Sequence, residues 1–135
     1  LDKIALDSRF QILDSRIVVV GARGAVGRPL VHFLRERGVE VNEVEWDTPE
    51  PTRSHLEGEI VISCVGKAGI VTGEMVPEGV IVIDVGMSEI DGKVVGDMTK
   101  EVYQKASIAV PVPGGVGPVT IACLLQNSLE LSERL

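Results

Sequence analysis

Apolar positions along this chain gather into short unbroken runs, set apart by glycine, proline and charged residues. Ile17-Val18-Val19-Val20, Ile60-Val61-Ile62 and Val80-Ile81-Val82-Ile83 show no alternation of polar and apolar side chains. A strand with one wet face would alternate, so these runs predict strands buried on both faces of a parallel sheet. The expected strands cover 16–20, 39–44, 60–65, 80–85 and 108–112, and the first, third and fourth end at Gly21, Gly66 and Gly86. Between the first two the spacing becomes helical. Leu30, Phe33 and Leu34 make one stripe of a helix over 26–37, with Pro29 in the first turn and Gly38 as the stop. The chain therefore opens as a βαβ unit. Asp91-Gly92 predicts a type I′ turn in a hairpin over 90–95. A short helix is expected over 99–105, and a last helix over 119–134 that buries Ile121, Leu124, Leu125 and Leu129. Residues 1–14 read as an arm or short helix, and 47–58, with Pro49 and Pro51, as a polar loop with room for a short helix. No repeat, low-complexity tract or linker interrupts 1–135, which reads as one α/β domain.

Composition narrows the picture. The 135 residues can bury a core, and at 3% aromatic that core must be aliphatic. A net charge of -7 excludes general nucleic-acid binding and disfavours an anionic membrane surface, while leaving a local basic site open. No apolar run reaches transmembrane length and no signal peptide opens the chain. Cys64 and Cys123 sit in apolar segments and are expected as small buried residues in a reducing, cytoplasmic compartment, a disulfide being the weaker reading. Two thiols without clustered histidines make no metal site. His32 and His55 lack sequence partners that would make a general base of either. The first residue is Leu rather than Met, which reads as an excised or truncated piece.

Four segments carry chemistry. Gly21-Ala22-Arg23-Gly24-Ala25-Val26-Gly27 lies between a predicted strand and a predicted helix. Glycines there let a ligand approach the backbone, and a helix start aims N–H groups at a pyrophosphate, so this is a candidate dinucleotide turn of a Rossmann-type, mostly parallel sheet flanked by helices. Its G-x-x-G-x-x-G spacing departs from G-x-G-x-x-G, and a close-packed turn without a ligand is the competing reading. Glu45, with Asp47 second, ends strand two where an acid binds ribose hydroxyls and repels the extra phosphate of NADP; Arg23 works the other way. NAD against NADP stays open, with a lean to NAD. Val65-Gly66-Lys67-Ala68-Gly69 and Asp84-Val85-Gly86 fall at strand ends, where α/β sheets bind ligands; Asp84 reads as a buried loop anchor. Last, Pro111, Val112, Pro113, Gly114, Gly115, Val116, Gly117, Pro118, Val119 and Thr120 form a rigid Pro/Gly loop before the final helix, with Thr120 placed to satisfy the helix start or meet a ligand.

In this order these segments, with Val95-Gly96-Asp97, resemble the methylenetetrahydrofolate dehydrogenase/cyclohydrolase family from Ile17 to the C-terminus. The resemblance implies an NAD(P)-binding domain of a bifunctional enzyme of one-carbon folate metabolism. In such an enzyme a methylene-bridged tetrahydrofolate loses hydride to nicotinamide, and the methenyl product is hydrolysed. It implies cofactor contacts at Gly21, Ala22, Arg23, Gly24, Ala25, Val26, Gly27, Val65, Gly66 and Val71, and a folate-side border at residues 111–119. The turn departs from the family's Gly-Arg-Ser or Gly-Ala-Ser, and Glu45-Trp46 stands where His-Ser or His-Arg is usual. Both departures favour NAD. The family's catalytic lobe, with its Tyr-x-x-x-Lys motif, has no counterpart here, since Tyr103 and Lys105 are two apart and in the wrong domain. No catalytic residue is expected in this chain, and a tetrahydrofolate partner only where that lobe is present. The alternative is a stand-alone dinucleotide-binding or assembly module that lost the folate reaction. Either way an apolar surface is expected on the last helix, which a lobe or a homodimer would cover.

Overall fold

In the computed structural model, which describes residues 14–45, 47–50 and 52–135, five parallel strands form one sheet. They are β1 (Ile17–Val20), β2 (Val41–Val44), β3 (Ile60–Ser63), β4 (Ile81–Asp84) and, after a hairpin of β5 (Ser88–Ile90) and β6 (Lys93–Val95), β7 (Ile108–Val110). The order is β2-β1-β3-β4-β7, in flush register: Ile17 stands beside Val41 and Ile60, and Ile60 beside Ile81. All twelve residues of β1, β3 and β4 are buried, as their unbroken apolar runs demand. Alternate residues feed two cores. Ile17, Val19, Ile60 and Ile62 face α1 (Gly27–Glu36) with Val31 and Leu34; Val18, Val20, Val61 and Val82 face the other way with Leu56, Val71 and Val102. Val102 belongs to α2 (Lys100–Lys105).

The apolar stripe of α1 is rotated from the predicted one. Val31 and Leu34 are buried and Leu30 is partly so, whereas Phe33 is 41% exposed and lies under the guanidinium of Arg37, 3.5 Å from its ring centroid. A cation over the ring gives an outward aromatic a partner that the core need not supply. Gly38 closes the helix, its N–H donating to the Arg35 carbonyl at 3.0 Å. The hairpin turns as predicted, with φ of 52° at Asp91 and 75° at Gly92.

Three expectations fail at the C-terminal end. β7 stops at Val110 rather than 112, because the proline at 111 has no N–H to continue a ladder. The last helix, α3 (Val116–Glu133), starts three residues early, taking Gly117 and Pro118 into its first turn, where proline is tolerated. And α3 buries nothing: Ile121, Leu124, Leu125 and Leu129 are 62–66% exposed. Cys123 is exposed with them and is not the core residue expected, whereas Cys64 is half-buried and packs against the core; both are free thiols. The arm expected over 1–14 lies, but for Asp14, outside the described residues, as do Trp46 and Pro51. No described helix is long and apolar enough to cross a membrane.

Candidate functional site

The chain runs from β1 outward to β2, then crosses back to β3 on the other side of β1. That reversal opens a crevice at the carboxyl ends of β1 and β3, the place where open α/β sheets take ligands. A cleft of about 460 Å³ lies there, within the range of small-molecule sites. Of the residues singled out in the sequence, Gly21, Glu45, Val65, Lys67, Gly69 and Val71 line it.

Of the glycine turn, Gly21 lines the cleft, and residues 22–26 lead from it into α1 without lining it. Gly21 has φ +80°, and a Cβ there would come within 2.9 Å of the Cys64 carbonyl oxygen. A Cβ on Gly27 would lie 2.1 Å from the Gly21 carbonyl, so helix α1 packs onto the turn only because position 27 has no side chain. Ala22 is buried, while Arg23, Gly24, Ala25 and Val26 are exposed. No side chain caps the start of α1 and no acid lies in its first turn, which leaves the positive end of the helix facing the turn.

Two acids occupy the end of β2. The Glu45 carboxylate accepts the backbone N–H of Arg23 at 2.5 Å, and the Arg23 guanidinium pairs with Asp47 at 2.9 Å. This hydrogen bond and charge hold the Asp47 carboxyl below its ordinary range and raise Arg23 further. Arg23 is therefore already partnered beside Glu45, which lines the cleft.

The far wall, residues 65–71, is set from beneath by two fully buried acids. Asp97 accepts the Ser63 hydroxyl and the Val65 N–H on one oxygen, both at 2.7 Å, and the Gly66 and Lys67 N–H groups on the other, at 3.0 and 2.8 Å. Asp84 accepts the Asp97 and Met98 N–H groups at 3.1 and 3.0 Å and the Tyr103 hydroxyl at 2.7 Å. Asp84 is thus the loop anchor expected of it. Burial raises its carboxyl against the pull of those three hydrogen bonds. Burial, then the Asp84 bond, raises the Tyr103 phenol. Burial beside the two acids pushes the Cys64 thiol up to about 11. Val71 is 1% exposed, its N–H donating to the Asp97 carbonyl at 3.1 Å.

The sequence reading missed Glu50, Arg53, Leu56 and Met75 in the cleft lining and the role of Asp97. An acid preceded by glycine and followed by an apolar residue was the available signal for Asp97; Glu50 and Arg53, an i,i+3 ion pair at 2.8 Å, lie in the segment read as a polar loop with room for a short helix. Lys105 donates to the Gly73 and Val76 carbonyls, both at 2.8 Å, so neither it nor Tyr103 lines the cleft. The loop over 111–120 follows β7 and does not line this cleft, and Thr120 donates to the Val116 carbonyl at 2.9 Å, one turn back inside α3. Its hydroxyl therefore does not cap the helix start. Among the described residues no three His, Cys, Asp or Glu side chains converge on a common point.

Parallel order 2-1-3-4-7, a glycine turn feeding an uncapped helix, and a cleft at the reversal define a Rossmann-like dinucleotide-binding domain. The family model for the tetrahydrofolate dehydrogenase/cyclohydrolase NAD(P)-binding domain matches residues 3–135. The chain belongs to that family, as its NAD(P)-binding domain. It is 43% identical to a bifunctional protein FolD of Herpetosiphon aurantiacus over 98% of this chain and 48% of the relative. The Campylobacter jejuni bifunctional enzyme FolD, a methylenetetrahydrofolate dehydrogenase/cyclohydrolase, superposes with a TM-score of 0.82 at 38% identity over 92% of this chain and 45% of that one. The Trypanosoma brucei FolD, solved with NADP cofactor and inhibitor, superposes with a TM-score of 0.80 at 35% identity over 98% and 48%. The chain spans about half the length of the curated relatives it matches.

Proposed function

We propose that this chain is the cofactor-binding half of a methylenetetrahydrofolate dehydrogenase/methenyltetrahydrofolate cyclohydrolase. The observation that carries the reading is the cleft at the β1/β3 reversal, lined at Gly21 by a glycine turn whose positions 21 and 27 have no room for a Cβ. The residues fit a dinucleotide: residues 21–27 hold the pyrophosphate against the start of α1, Glu45 takes ribose hydroxyls, and Val65, Gly66 and Val71 wall the nicotinamide half. When bound, nicotinamide supplies the hydride acceptor. The chain's own residues bind, orient and exclude water. The proton-transfer groups and the tetrahydrofolate derivative belong to a separate lobe, and residues 111–119 border the folate on this side.

NAD is the favoured cofactor. A 2′-phosphate placed at the end of β2 would meet Glu45 and would have to draw Arg23 away from Asp47. Calorimetric titration of the chain with NAD and NADP tests both parts: heat with NAD is expected, silence with both nucleotides refutes the cofactor site, and tight NADP with no NAD binding refutes the role of Glu45. Two free thiols support a reducing, cytoplasmic setting.

The exposed apolar face of α3 is the surface on which the catalytic lobe docks, and it supports a second reading, a homodimer or assembly module built on the same face. Sedimentation separates them. Association of the isolated chain that grows with concentration favours the second; a monomer at all concentrations favours the first.

A further inference from the structure

We propose that Asp97 is a positioning residue for the cofactor cleft: it fixes the backbone of residues 65–67 in its binding shape before any dinucleotide arrives. This rests on the cofactor reading above and assigns to a residue outside the cleft lining the task of building one wall of it. Three successive N–H groups, of Val65, Gly66 and Lys67, point at one carboxylate, and the Ser63 hydroxyl adds a fourth donor. The hydrogen bonds that give this turn its shape thus run to a side chain from 30 residues further along the chain. Charge-assisted bonds of this kind are the strong ones, and the carboxylate that accepts them is itself fully buried.

The anchor is itself anchored. Asp84, at the end of β4, holds the N–H groups of Asp97 and Met98, so the Asp97 backbone is tied to the central sheet. Room for the pair comes from two glycines. A Cβ on Gly86 would lie 1.9 Å from the Asp97 carboxyl carbon, and one on Gly96 would lie 2.1 Å from an Asp84 oxygen. A wall ordered in advance costs no ordering on binding, which is how preorganisation reaches affinity.

The test joins amide exchange and calorimetry on this chain. Without cofactor, the amides of Val65, Gly66 and Lys67 are expected to exchange as slowly as those of β3, and far more slowly than those of the 91–92 turn. Fast exchange overturns the proposal with no variant needed, so the proposal stays open to refutation even where a substitution prevents folding. Asp97→Asn keeps the shape but sets an NH2 against N–H donors. It is expected to free the amides that face that NH2, Val65 on one side or Gly66 and Lys67 on the other, and to weaken nucleotide binding by about ten- to a hundredfold. Ser63→Ala removes one donor and spares the turn, and is expected to bind within about twofold of the unaltered chain. Equal losses in both variants would make the effect merely structural and overturn the proposal, as would unchanged binding in Asp97→Asn. Slow exchange together with no heat from either nucleotide supports the anchor and refutes the cofactor reading alone, because the anchor is read on the exchange rates.

Discussion

The corner beneath the cleft and helix α3 are opposite solutions to the same problem. The corner is rich in charge and wholly buried, yet each carboxylate oxygen of Asp84 and Asp97 has a donor. Helix α3 is rich in leucine, and yet none of its 18 residues is buried. Burying a charge costs several kcal/mol unless it is fully paired, and exposing a leucine forfeits about 1.5–3 kcal/mol that burial would give. The corner settles its cost inside the domain. The helix leaves its gain to be collected elsewhere. The contrast teaches that polarity along a sequence does not decide what a domain buries by itself; what decides is whether partners exist within it.

One cysteine in each region gives the widest expected difference. With its thiol pushed up to about 11, Cys64 is thiolate in only about one molecule in a thousand at pH 8, whereas Cys123 is exposed on α3. A disulfide reagent at pH 8 should therefore modify Cys123 at least about a hundredfold faster than Cys64, read by mass spectrometry of peptides; comparable rates would mean that the corner is open. Next, Gly86→Ala forces a methyl group into the Asp97 carboxylate and is expected to cost about 3 kcal/mol by urea denaturation. Asp84→Asn should cost about 2 kcal/mol near neutral pH, because its NH2 must face at least one donor that the carboxylate now accepts. Its pH dependence has a definite sign. The native Asp84 carboxyl is raised by burial, so the folded chain takes up that proton at a higher pH than the unfolded one. Its stabilising contribution is complete below the ordinary carboxylate value and is lost as pH rises through the raised value. The unaltered chain should thus gain on Asp84→Asn as pH falls from 7 towards the ordinary carboxylate range, in urea midpoints; a constant gap would contradict this. The smallest effect belongs to α3: the double substitution Leu124→Glu, Leu125→Glu should change the stability of this chain by within about 0.5 kcal/mol, since both side chains already face water. A large loss would show that α3 is covered in the isolated chain.

The sheet was legible because unbroken valine and isoleucine runs admit few structures, and the runs at 17–20, 60–63 and 81–84 are buried throughout. The hairpin was legible because Asp91-Gly92 has a strong backbone preference. The glycine turn and Glu45 were legible as a unit because βαβ connection places them at one edge. Helical faces were less so. Phe33 matches the apolar spacing of α1, but its cover comes from Arg37, four residues on, and spacing does not distinguish that from a core. In α3 the apolar positions wrap most of the circumference, so periodicity names no face. Asp97 was least legible, since its donors lie 30–34 residues away and only the fold brings them within 3.0 Å.

The crossing of glycines and acids has a consequence for how this corner can change over time. Gly86 stands two places after Asp84 but makes room for Asp97, and Gly96 stands just before Asp97 but makes room for Asp84. Each acid's neighbour keeps the other acid's seat clear. The four positions therefore form an interlock, in which a single exchange at a glycine meets a carboxylate and a single exchange at an acid strands several N–H groups. Escape from that arrangement requires at least two simultaneous changes on opposite sides of a hairpin, so a saturation scan of single substitutions should find all four positions intolerant while the exposed strand positions Glu89 and Lys93 between them vary freely.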